Sequence, residues 1–80
     1  DVMLAVLRHA TVDTVMMIGH NPGIAEFAHR LVAHPPINAE FQHYPTGATL
    51  VVDFAIDRWE DAGYGLGATL DFIVPRELVA

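Results

Sequence analysis

TVMMIGHNPGIAEFAHRL, residues 14–31, changes period halfway along. Thr14–Ile18 is a short continuous apolar run rich in strand formers, whereas Ile24, Phe27, Ala28 and Leu31 recur at helical spacing. A run that is apolar on both faces and feeds a helix predicts a central, parallel strand. Asn21 suits the helix N-cap, and Pro22 the first helical position, where its missing N–H would be unpaired anyway. Glu26, His29 and Arg30 fall off the apolar stripe, and His34-Pro35-Pro36 stops the helix, which is expected over residues 22–33.

On the N-terminal side, Met3, Val6, Leu7 and Ala10 stand at i, i+3, i+4 and i+7, one face of a helix over residues 1–10. Thr11–Asp13 break that pattern. On the C-terminal side, residues 35–47 read as a loop punctuated by Pro35, Pro36, Pro45 and Gly47. Residues 48–56 alternate, with Leu50, Val52, Phe54 and Ile56 on one face of a strand. A turn-rich stretch with Trp59 and Gly63 follows; residues 66–74 alternate again, and Pro75 closes them. Helix, strand, helix, strand, strand is an α/β order, with no repeat, linker or low-complexity tract. Three strands make a poor sheet alone.

Composition points the same way. Eighty residues bury a limited core, yet 52% are hydrophobic and the mean hydropathy is +0.33. So much apolar surface on so small a chain is expected to cover something else. The chain also starts at Asp1, without an initiator methionine or a signal-like segment. Residues 1–80 are therefore expected to be the C-terminal segment of one larger domain. A net charge of −6 with four Lys or Arg argues against nucleic acid and anionic membranes as partners. No apolar run approaches the roughly 18–20 residues of a membrane span. The absence of cysteine excludes disulfide and thiolate chemistry and fits a cytoplasmic protein.

Open α/β sheets place ligands at the carboxyl ends of their strands, where a following helix aims unpaired N–H groups and partial positive charge. Gly19 lets a ligand or backbone come close, and His20 can donate hydrogen bonds, carry charge or move protons near neutral pH. Together they describe a pocket for phosphate or carboxylate. Spacing alone leaves open a plainer role, in which His20 satisfies a backbone carbonyl at the helix start.

The stretches VMMIGHNPGI (15–24), PTGATLVVDF (45–54), the Trp59 region and DFIVPREL (71–78) resemble the C-terminal half of the histidine phosphatase superfamily. The similarity is closest to its SixA-type phosphohistidine phosphatase branch and runs over about residues 12–78. Gly-His-Asn-Pro is its most specific part. The resemblance implies the three-layer phosphoglycerate mutase-like sandwich, a mostly parallel sheet flanked by helices. It implies hydrolysis of a phosphorylated substrate, a phosphohistidine protein or small phosphomonoester, through a phosphohistidine intermediate. A nucleophilic histidine in an N-terminal Arg-His-Gly motif takes the phosphoryl group, and two arginines from the N-terminal part complete the pocket. His20 matches the second pocket histidine, with Asn21 and Thr46 as further candidate phosphate-binding residues. Histidine and arginine do the electrostatic work, so no metal or other cofactor is implied. Arg8-His9-Ala10 looks like the nucleophile motif, but His9 stands only eleven residues before His20, where the family has a helix. His9 is expected at a helix end, and the nucleophile outside this chain. A non-catalytic anion-binding or interaction module of the same fold is the alternative.

Other chemistries fit less well. Five histidines invite a metal, but His29 and His34 do not share a helical face and no His-Glu-x-x-His spacing exists. Asp53 and Asp71 interrupt their strands on the face opposite the apolar set and are expected in solvent. Trp59 and Tyr64 lack the basic neighbours of a base-stacking surface, and Met16 and Met17 are expected to fill the core. There is no Gly-x-Gly-x-x-Gly or Gly-Lys-Ser/Thr run. With an open central strand edge, the chain alone is expected to self-associate.

Overall fold

The computed structural model describes residues 2–75. Asp1, and Arg76–Leu78 of the DFIVPREL stretch, lie outside the described residues. Helix α1 spans Val2–Arg8 and helix α2 Gly23–Leu31; strands β1 and β2 span Thr49–Phe54 and Gly67–Ile73. Short 3-10 turns occupy Ala39–Phe41 and Trp59–Asp61.

The amphipathic stripe of α2 organises the interior. Phe27 and Leu31 pack with Leu7 of α1 and Ala62, joined by Met3, Leu4, Val15, Met17, Phe54 and Trp59. One step round the helix, Ala28 packs with Val32, Phe41 and Tyr44, joined by Ile24, Leu50, Val52 and Phe72. The buried face of α1 is Met3, Leu4 and Leu7, while Val6 turns outward. Both helices therefore cover one side of a layer formed by residues 14–19 and the β1–β2 pair.

That layer differs from the expected parallel sheet. β1 and β2 pair antiparallel, and the only parallel pairing among the described residues is the bridge between Val32 and Gly67. There Ala33 N–H donates to the Gly67 carbonyl at 2.8 Å. Residues 14–18 are extended but pair with no strand, and residues 13–19 make no backbone hydrogen bond among the described residues. The physical reason is the lack of a partner on either side. Val15 and Met17 point to the helices, while Met16 (82% exposed) and Ile18 (87%) face solvent, so Met16 is not core filler.

Alternation in β1 is as expected, with Leu50, Val52 and Phe54 inward. In β2 it is interrupted. Val51 faces Asp71 and Val52 faces Thr69, which leaves Leu70 as an extra, unpaired residue. This bulge moves the inward positions from Gly67 and Thr69 to Phe72 and Val74. Asp53 and Asp71 are exposed, as their opposite-face placement predicts.

Candidate functional site

Residues 14–19 and the free edge of β1 face each other across a groove of about 1250 Å³. The direction of each wall follows from its end contacts. Trp59 Nε1–H donates to the Val12 carbonyl, placing residue 12 at the far end of β1. Asn21 Nδ2–H donates to the Tyr44 carbonyl at 2.9 Å and the His43 carbonyl at 3.3 Å, placing residue 21 at its near end. The 14–19 wall therefore runs antiparallel to β1. Val15, Met17, Ile24, Leu50, Val52 and Phe54 line the helix side, while Met16, Ile18, Val51 and Leu70 line the other. Under the floor, a space of about 120 Å³ bounded by Leu7, Phe27 and Leu31 shows that the two walls do not close over the helices.

His20, Asn21 and Thr46 all line this groove, with Asn21 at its near end. His20 is exposed there, and its carbonyl accepts the Ile24 N–H at 2.9 Å in the first turn of α2. Its ring makes no hydrogen bond among the described residues, so the plainer role of satisfying a backbone carbonyl with the side chain is not the one observed. Asn21 is not the N-cap. Pro22 occupies the cap position with no side-chain cap bond, and the helix starts one residue later than expected, at Gly23. The Asn21 amide nitrogen instead reaches across to residues 43 and 44. Thr46 is the second residue of a β-turn closed by Ala48 N–H to the Pro45 carbonyl at 2.9 Å, with Gly47 at φ +78°.

Tyr44 also lines the groove and was not legible as a site residue. Its only local signal is its place before Pro45 in a turn-rich loop. It sits at φ +48°, its N–H donates to Glu40 O at 2.8 Å, and its hydroxyl accepts Leu50 N–H at 3.2 Å. Burial raises the Tyr44 phenol above its ordinary pKa, partly opposed by the bond from Leu50.

The arginines of the groove are already engaged. Arg8 Nε–H and Nη2–H donate to the Glu60 carbonyl at 2.8 and 2.6 Å, and Arg58 lies 3.2 Å from the Glu60 carboxylate. His9 stands just past the end of α1, its Nδ1 2.7 Å from the Ala5 carbonyl oxygen, as expected of a helix-end residue. His29 stacks on Phe41 with ring centres 4.4 Å apart, and its Nε2 lies 3.0 Å from that residue's carbonyl oxygen. Trp59 packs edge-on against Phe54. Among the described residues, no three His, Asp or Glu side chains gather as a metal-binding group, and no helix is long and apolar enough to cross a membrane. No family model, curated protein or solved structure matches the chain.

Proposed function

We propose that this chain is the C-terminal part of a cytoplasmic histidine phosphatase, acting on a phosphohistidine protein or a small phosphomonoester, and that it supplies the second pocket histidine, His20. The observation that carries this reading is His20 at the head of α2, its ring without a hydrogen-bond partner among the described residues, on a groove whose two edges pair with no strand among those residues. The groove exceeds the roughly 300–1,000 Å³ of common small-ligand pockets; its helix side is apolar, and its other side mixes Met16, Ile18, Val51 and Leu70 with Thr49 and Asp53. A strand apolar on its helix-facing side suits it. In the proposed enzyme that strand comes from a segment outside residues 1–80 and ends in the nucleophile. Its addition completes the phosphoglycerate mutase-like sheet and sets the nucleophile beside His20.

The chemistry then divides between the two parts. The nucleophilic imidazole nitrogen forms a bond to phosphorus as the bond to the leaving-group oxygen or nitrogen breaks. Water next attacks phosphorus, the phosphorus–nitrogen bond breaks with its electron pair returning to the imidazole, which takes up the proton water gives up, and inorganic phosphate is released. His20 takes no covalent part. Its ring N–H stabilises the charge spread over the equatorial oxygens, an electrostatic role for a positioned donor. Arg8 and Arg58 are held at the far end, so the further positive charge is assigned to arginines of the same outside segment.

His20→Ala in the full-length protein is expected to lower the rate of aryl phosphate hydrolysis by about two to three orders of magnitude, the loss typical of one positioned donor. A wild-type rate would remove His20 from the mechanism. The non-catalytic alternative is favoured if the upstream sequence lacks an Arg-His-Gly motif after an apolar strand.

A further inference from the structure

The geometry points to Asn21 as a positioning residue, one that fastens the Pro45–Ala48 turn to the His20 end of α2; its part in catalysis rests on the phosphatase reading above. Asn21 looks like a helix cap or a phosphate ligand in the sequence, but its amide group is already committed. Both bonds from its Nδ2 go to consecutive carbonyls, His43 and Tyr44, more than twenty residues away. Those carbonyls precede the turn that carries Thr46.

The turn needs such a fastening. Tyr44 is held at φ +48°, a left-handed conformation that is costly for a non-glycine residue. A free loop would relax out of it. Three bonds hold it in: Asn21 to its carbonyl, its own N–H to Glu40, and its hydroxyl to Leu50 on the β1 edge. The last two tie the loop to itself and to β1. His29 of α2 reaches the Phe41 carbonyl earlier in the loop. Among the described residues, the hydrogen bonds that tie the His43–Tyr44 end to the head of α2 are those of Asn21, the neighbour of His20. Beyond this clamp, the Thr46 N–H and hydroxyl and the Gly47 N–H have no partner among the described residues, and both residues line the groove with His20. Asn21 thus sets the spacing between His20 and a turn that keeps donors in reserve, without touching the substrate.

The test compares Asn21→Ala and Asn21→Asp with wild type in the full-length protein. Both variants lose the two N–H donors, and the exposed position makes misfolding of both at once a poor explanation for a shared effect. Amide hydrogen exchange at Ala48 and Leu50 is expected to quicken about tenfold, while Phe27 and Ala28 inside α2 keep wild-type protection. The kcat/KM for aryl phosphate is expected to fall about tenfold. Thr46→Ala should cost less in the Asn21→Ala background than in wild type, because two changes acting through one turn are not additive. Unchanged exchange at Ala48 and Leu50 overturns the proposal whatever the enzyme does. Quickened exchange with unchanged kcat/KM overturns the positioning role. Exchange quickened equally in α2 shows general loosening and overturns it too. A wild-type protein with no hydrolysis sinks the phosphatase reading instead, and the exchange result then decides alone whether Asn21 fastens the turn.

Discussion

Tyr44 joins three interactions in one residue, and its hydroxyl gives them a pH signature. Burial favours the neutral phenol and raises its pKa, with the Leu50 N–H pulling the other way. A raised pKa in the folded state makes a contribution that is complete below the unfolded value near 10 and is lost as pH rises toward the folded value. Tyr44→Phe removes the bond to Leu50 and is expected to cost about 1 kcal/mol at neutral pH. That difference from wild type should shrink as the pH passes 10 in denaturant titrations. A gap that stays constant from pH 8 to 11 would show that the phenol is not buried as described. His20 stands out at this scale because a glycine, a histidine and the start of α2 coincide within a few residues, and the structure places it on the groove. Asn21 and Tyr44 do not, because what defines them is each other, and no local pattern links positions more than twenty residues apart. Asn21 is moreover the residue type a cap would use, so local chemistry suggested the wrong partner for its side chain.

Elements with a strong internal period were readable, and those needing a partner were not. The stripe of α2 and the alternation of β1 depend on their own residues, and both emerge as expected. Thr14–Ile18 has strand composition but lacks the neighbours that turn composition into a strand, so it is extended and unpaired. In β2 the bulge at Leu70 breaks the single alternating stripe, which composition could not reveal because apolar residues stand on both sides of it. The packing of β2 depends on Gly67. A Cβ there would collide with Val52 Cγ1 and stand 3.0 Å from the Leu31 carbonyl oxygen, where α2 runs out alongside the sheet. Gly67→Ala is therefore expected to destabilise by about 1–3 kcal/mol, as overpacking does. Gly23, in the first turn of α2, meets nothing within 4 Å, so Gly23→Ala should be neutral or stabilising by up to about 1 kcal/mol. Thermal unfolding of the two variants checks the pair. Equal effects would contradict the close approach assigned to Gly67.

At the scale of the molecule, the apolar excess noted in the sequence has a location. Val12, Met16, Ile18, Val51 and Leu70 are exposed and line one groove, flanked by two extended segments without a strand between them. Exposed strand edges beside apolar surface recruit other chains. His20 lines the same groove, so under the proposed reading the seam and the phosphate pocket are one place. A parallel sheet was expected from the apolar run at residues 14–18 and from the family resemblance. The described residues instead form an antiparallel pair, and none of them pairs as a strand with residues 14–18 or with the free edge of β1. The most direct measurement is the size and thermal unfolding of residues 1–80 alone, by sedimentation velocity over a range of concentrations and by circular dichroism. Concentration-dependent association with a broad, weakly cooperative transition is the result this account predicts. A monodisperse monomer that unfolds in one sharp step would contradict it, since a closed and stable chain has no seam for a strand to fill.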